Sequence, residues 1–218
     1  MTMFGVLFFD GTEELDAVGP WEVFTMASQQ RDDITVVAVS EHGGTVTCGK
    51  GMRIVVDHSF ADAPKLDVLL VPGGQGTRRE VDNPALLQWI ASVAKECEWV
   101  TSVCTGSLLL AEAGPAAGKR ITTHWGAVDL VRKRGRAGEV LEGVRYVRDG
   151  NVVTSAGVSA GIDMALWLIG EMYTPGFARG DIGLAQGIEQ RGLAVINVPH
   201  DGDNGRTRQL FGISIALV

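Results

Sequence analysis

The 218-residue chain is 45% hydrophobic and carries 19 Lys+Arg against 26 Asp+Glu, a formal net charge of -7. This length and apolar content suit one substantial α/β core, and the acidic balance, with no basic cluster larger than Arg132-Lys133-Arg134-Gly135-Arg136, excludes nucleic acid as the main partner. Three cysteines (Cys48, Cys97, Cys104) without C-x-x-C spacing disfavour a disulfide framework or a thiolate metal site; with no signal-peptide pattern and no apolar run near the roughly 18 residues of a membrane span, the expected setting is the reducing cytoplasm.

Along the chain, short apolar runs of β type alternate with amphipathic helical windows. A strand is expected over Phe4 to Phe9, a helix over Thr12 to Ala27 and a strand over Ile34 to Ser40. A strand over Leu66 to Val71, a helix over Asn83 to Cys97 and a strand over Trp99 to Val103 follow. Such alternation predicts βαβ units, and strands apolar on both faces predict helices on both sides of the sheet. The fold class is therefore α/β, a doubly wound, mostly parallel sheet flanked by helices. Two insertions read as antiparallel: Thr45 to Val56, turning at Gly49-Lys50-Gly51, and Arg145 to Thr154, turning at Asp149-Gly150. A last helix is expected over Ser159 to Met172. Residues 1–180 form the domain, and residues 181–218, rich in Gly, Asp and Asn around His200, are an extension of uncertain structure.

In open α/β sheets the site lies beyond the carboxyl ends of the strands. Cys104 stands where Trp99-Val100-Thr101-Ser102-Val103 breaks into Thr105-Gly106-Ser107 and a helical run. A strand-to-helix elbow would lift the thiol toward unpaired helix amides, an environment expected to favour thiolate and hence nucleophilic catalysis. After the first strand comes Asp10-Gly11-Thr12-Glu13-Glu14-Leu15-Asp16. There Asp10 or Thr12 could cap the helix, Glu13 and Glu14 read as exposed charges, and Asp16 is expected to face inward and share a proton with the thiol. After Val71, Pro72-Gly73-Gly74-Gln75-Gly76 is too short for a phosphate loop. Its bare backbone is expected to offer the Gly74 N–H, together with that of Thr105, as an oxyanion-type donor pair. His124, in Thr122-Thr123-His124-Trp125, could orient or protonate a group near Cys104, or be structural.

Gly157-Val158-Ser159-Ala160-Gly161 fits the nucleophile-elbow pattern of serine hydrolases. Beyond Ser159 the sequence offers His200 alone, in a polar tail with no strand to fix a triad, so the segment reads as a small-residue helix start. Gly157 then joins Gly74, Thr105 and His124 as a substrate-binding candidate. Asp163 is expected to bond backbone near the elbow.

Together these segments, from residue 4 to about 175, resemble the ThiJ/PfpI superfamily, in which an elbow cysteine faces an acid from the first helix. Cys104-Thr105-Gly106-Ser107 and Leu15-Asp16-Ala17-Val18-Gly19-Pro20 are most similar to its isonitrile hydratase branch. Protease-type relatives place His after the cysteine and use Glu as the acid, where this chain has Thr105 and Asp16. The resemblance implies a flavodoxin-like three-layer sandwich, a homodimer, and a hydro-lyase that needs no metal or cofactor. In it Cys104 would attack an isonitrile, Asp16 would supply the proton, and Asp16 with Thr105 would hold the water. The same domain also resembles the amidase-like part of AraC-type regulators, which implies a sensor as the alternative. A glyoxalase or deglycase leaning on His124 is a further one. Residues 181–218 do not match the hydratase tail.

Overall fold

The computed structural model describes residues 1–173; the extension expected from residue 181, His200 included, lies outside the described residues. In chain order the described elements begin β1 (Thr2–Leu7), α1 (Glu14–Ser28), β2 (Ile34–Ser40), β3 (Thr45–Thr47), β4 (Arg53–Val55), β5 (His58–Ser59), β6 (Val68–Val71), α2 (Thr77–Glu80) and α3 (Pro84–Val93). They continue with β7 (Trp99–Val103), α4 (Gly106–Ala113), β8 (Arg120–Thr122), a helical turn (Trp125–Ala127), α5 (Val128–Arg134), β9 (Glu139–Leu141), β10 (Tyr146–Asp149), β11 (Val152–Ser155) and α6 (Val158–Tyr173).

The main sheet has seven strands in the order β10-β11-β7-β6-β1-β2-β5, all parallel except the edge strand β10, which returns from β11 as a hairpin. Consecutive apolar residues in the strands serve opposite faces. Phe4, Val6, Val68, Leu70 and Val153 join Phe24 of α1 and Met164, Ala165 and Leu168 of α6. Leu7, Leu69, Val71 and Val100 join Leu86 and Ile90 of α3 and Leu108, Leu109 and Leu110 of α4. This is the three-layer sandwich expected from strands without alternation. From β1 the chain steps outward to β2, while β6 pairs on the other side of β1. The loops after β1 and β6 meet at that switch point, where the Glu13 N–H donates to the Gly73 carbonyl at 2.9 Å and the Gly76 N–H to the Gly11 carbonyl at 3.1 Å.

Element ends differ from expectation where polar groups intercept the ladder or the helix. β1 stops at Leu7 because the Phe9 N–H donates to Thr12 Oγ1 at 3.1 Å. α3 stops at Val93 because Lys95 and Glu96 bond three residues back, and the Cys97 thiol reaches the Leu66 carbonyl at 3.4 Å. Neither proposed cap forms: Thr12 bonds Phe9, and Asp10 Oδ1 accepts from Thr47 N–H at 2.8 Å. Glu13 and Glu14 are half-buried rather than free. Lys50, at the tip of the β3–β4 hairpin, pairs with Glu13 through its ammonium and donates its N–H to Glu14 Oε1 at 2.6 Å.

Phe24 is fully buried and its ring meets Phe4 at 4.8 Å between centroids, joining α1 to β1. Phe24→Ala is expected to cost about 3–5 kcal/mol of stability in a denaturant titration. A loss below about 1 kcal/mol would mean that the α1 layer is not anchored there.

Candidate active site

Four chain segments converge on Cys104, and each does so for a local reason. At the end of β7, Cys104 adopts φ 56°, a left-handed conformation that costs a non-glycine residue on the order of 1–3 kcal/mol. The surroundings hold it there. Its N–H donates to the Ser155 carbonyl of β11 at 2.9 Å, and its own carbonyl accepts both Ser107 Oγ and Thr123 Oγ1 at 3.1 Å. Gly106 lets the turn close, since a Cβ there would stand 2.1 Å from the Val71 carbonyl oxygen. The side chain is half-buried.

Asp16 enters from the first turn of α1 and is fully buried. Its Oδ1 accepts the N–H of Val158, the first residue of α6, at 3.0 Å. Its Oδ2 has no hydrogen-bond partner among the described residues. Pro20, four residues on, lacks the N–H that would have bonded the Asp16 carbonyl. Burial raises the carboxyl above the ordinary carboxylate range, and the Val158 N–H, the Cys104 thiol and the Gly73 N–H act in the opposite sense.

The thiol corrects the expectation of an easily formed thiolate. Burial, and next the charge of Asp16, push Cys104 up to about 12, against the pull of the Thr105 N–H and hydroxyl. Both acids are thus shifted toward holding protons, and the charge of Asp16 opposes ionisation of the thiol. The pair therefore resists losing both protons. The thiolate expected from helix amides alone is outweighed by desolvation and by Asp16.

The glycine loop differs from its expected role. Gly73 packs directly on the elbow: a Cβ there would lie 2.6 Å from the Thr105 nitrogen and 2.8 Å from Cys104 Cβ. The Gly74 N–H, expected as an oxyanion donor, instead donates to Thr105 Oγ1 at 3.0 Å. It is not available for a substrate. The donors that face the reactive pair are the N–H groups of Thr105, toward sulfur, and Gly73, toward the carboxyl. The Thr105 hydroxyl is likewise engaged with Gly74 and Thr77, buried from the water it was expected to hold.

Gly157 borders the notch: a Cβ there would stand 3.6 Å from His124 Cδ2 and 3.9 Å from Cys104 Cβ. His124 therefore lies beside the elbow, but its Nδ1 accepts the Gly126 N–H at 3.1 Å, which leaves Nε2 to carry the hydrogen. Ser159 is exposed on α6, with Oγ 3.4 Å from the Arg145 guanidinium, so the nucleophile-elbow pattern builds no hydrolase site. Asp163 does not tie the elbow; it is half-exposed and forms an ion pair with Arg145. Among the described residues no group of three or more His, Cys, Asp or Glu side chains is arranged to hold a metal ion. Reading the sequence missed the Val158 N–H, which a backbone donor hides by nature, and Thr77, whose four-residue helix is too short for a periodic signal.

A model described as the DJ-1/PfpI family matches residues 4–171. The chain belongs to the DJ-1/PfpI family. It is 40% identical over 168 residues to the isonitrile hydratase of Pseudomonas putida, an alignment covering 77% of this chain and 71% of that one. It is 32% identical over 176 residues to the HTH-type transcriptional regulator CdhR of Pseudomonas aeruginosa, covering 81% of this chain and 50% of that one. The DJ-1/PfpI fold is also that of a ThiJ/PfpI family protein from Pseudomonas syringae, whose crystal structure has a TM-score of 0.75 at 29% identity and covers 93% of this chain and 78% of its own. Among the described residues of this DJ-1/PfpI chain no helix is long and apolar enough to cross a membrane.

The raised carboxyl has a stability consequence. Because Asp16 holds its proton more tightly folded than unfolded, the folded state binds more protons once pH exceeds the ordinary 3.8, and stability falls as pH rises through the folded value. Asp16→Asn, whose amide oxygen can still accept from Val158, removes that loss. The variant's melting-temperature advantage over the unsubstituted protein is expected to widen from about pH 3.5 to pH 8. A difference that stays constant or narrows would contradict a raised carboxyl.

Proposed function

We propose that the protein is an isonitrile hydratase, a cysteine-dependent hydro-lyase that converts R–N≡C and water to the N-substituted formamide. The observation that carries this reading is the fully buried Asp16 carboxyl beside the half-buried Cys104 thiol at a strained elbow, a pair that in this reading shares one proton. An isonitrile carbon needs a nucleophile and a proton at the same atom, and the pair supplies both. The 40% identity to the Pseudomonas putida isonitrile hydratase supports it.

In this mechanism the Cys104 sulfur attacks the terminal carbon and forms the C–S bond while Asp16 delivers the shared proton to that carbon. The product is the thioimidate R–N=CH–S–Cys104. Water then adds to the carbon, with one of its protons passing to nitrogen, and collapse of the adduct expels sulfur and returns the other proton to the pair. The products are R–NH–CHO and the starting protonation state, with no change of oxidation level. The Thr105 N–H faces the sulfur and suits stabilisation of its anion on departure. His124 and Gly157 border the space for the substituent R.

A homodimer fits the exposed apolar side chains next to the site, Leu15, which precedes Asp16, and Val158, the donor to Asp16. Three free cysteines fit a reducing, cytoplasmic setting. Leu15→Lys is expected to convert a dimer to a monomer in sedimentation; a monomer before substitution would end that part of the reading. A sensor role is the second reading, favoured by the 32% identity to the regulator CdhR. It predicts oxidation of Cys104 by peroxide without turnover of any isonitrile.

The direct test is incubation with cyclohexyl isonitrile and mass spectrometry for the formamide and for a Cys104 adduct. Cys104→Ala is expected to abolish turnover, and Asp16→Asn to lower kcat/KM by about 10²–10⁴-fold. Full activity in either variant would overturn the mechanism.

A further inference from the structure

Gly161 lies buried in the first turn of α6, in helical backbone rather than at a positive φ. Inside a helix glycine is a poorer choice than alanine unless space forbids a side chain. Here space forbids it: a Cβ would stand 2.7 and 2.8 Å from the two γ-methyls of Val103. Val103 is fully buried, stiff because it is β-branched, and the last residue of β7, next to Cys104. Gly19 of α1 makes a similar approach to α6, where a Cβ would stand 2.8 Å from Ile162 Cγ1. The start of α6 is thus seated against both the strand that leads to the thiol and the helix that carries the carboxyl.

That same turn of α6 meets both reactive residues. The Gly161 N–H donates to the Gly157 carbonyl at 3.3 Å, and a Cβ on Gly157 would stand 3.9 Å from Cys104 Cβ. Val158, between the two glycines, donates its N–H to Asp16 Oδ1 at 3.0 Å. We propose that Gly161 is a positioning residue: by leaving room for Val103 it fixes how closely the α6 turn, and the Asp16 carboxyl that this turn holds, approaches Cys104. The inference rests on the hydratase reading only in taking this separation as the working one. An added methyl would have to part α6 from Val103 by about 1 Å to regain ordinary contact, which carries the acid away from the sulfur. The charge of Asp16 would then oppose ionisation of the thiol less, while delivery of a proton to the carbon on sulfur would slow. The other charged or titratable groups around the pair are Glu13 at the start of α1, Lys50 on the β3–β4 hairpin and His124 beside Gly157; Asp163 on α6 is paired with Arg145.

The test measures how fast iodoacetamide alkylates Cys104 in the full chain at about pH 9, read at the Cys104 peptide by mass spectrometry. Gly161→Ala is expected to raise that rate about three- to tenfold, the equivalent of about half to one pH unit in thiol ionisation. It is expected to lower kcat/KM for cyclohexyl isonitrile by about 10–10²-fold. In the Asp16→Asn background the same substitution should leave alkylation unchanged, because the charge that it moves is gone, whereas a mere loosening of packing would raise the rate in both backgrounds. Val103→Ala, which removes the methyls that the new carbon meets, is expected to restore the rate when combined with Gly161→Ala. Val103→Ile crowds the same contact from the strand and replaces Gly161→Ala if circular dichroism shows that the latter is unfolded. An unchanged rate in the crowded variant, an equal rise in the Asp16→Asn background, or no rescue by Val103→Ala would overturn the proposal. Failure of the unsubstituted protein to hydrate any isonitrile would overturn the hydratase reading, while the alkylation comparison would still decide the role of Gly161.

Discussion

A carboxyl and a thiol meet in one notch, where burial opposes the ionisation of both and the charge of Asp16 raises the cost of ionising Cys104. Much of the local structure is arranged around that constraint. Asp16 is fully buried with one oxygen held by a backbone N–H and the other unpartnered. Burial opposes ionisation of each group, and the charge of Asp16 opposes that of Cys104, so the two resist being anions together. A site that retains a proton beside a soft nucleophile suits additions in which one carbon gains both, and it is poorly suited to chemistry that needs a free thiolate at rest.

The fold brings the pair together at the strand ends where the sheet order reverses. α1 follows β1 and brings Asp16; the loop after β6 brings Gly73; β7 and α4 meet at Cys104; β11 leads to Gly157 and Val158. Cys104 and Val158 are the non-glycine residues with positive φ among those described, and they flank Asp16 from two sides. Backbone strain at the site therefore coincides with the groups that fix the carboxyl. The neighbouring strands and the hydroxyls of Ser107 and Thr123 hold the elbow in a conformation that an isolated chain would leave.

The fold class and the elbow position of Cys104 were legible in the sequence because both are written in apolar runs and their interruptions. Trp99 to Val103 followed by Thr105-Gly106-Ser107 marks the elbow directly, and Asp16 stands out as a lone acid among apolar neighbours. Details that depend on where one hydrogen points were not legible. The Gly74 N–H was expected to face substrate, but Thr105 Oγ1, distant in sequence, lies closer to it. The thiol was expected to be acidic because helix amides are visible in sequence, whereas burial, which opposes them, is a property of the assembled layers. Asp163 similarly finds Arg145 across a hairpin that composition cannot orient. The short pieces β8, β9 and α2 fall below the length at which periodicity gives a signal.

The most direct test of this account counts the protons on the pair. An infrared difference spectrum at neutral pH, with Asp16→Asn and Cys104→Ala as the references, reports the protonated-carboxyl stretch and the S–H stretch separately. The account predicts one proton in total, seen as one of these bands or divided between them. Both bands at full strength, or a carboxylate beside a sulfur with no S–H signal, would contradict it.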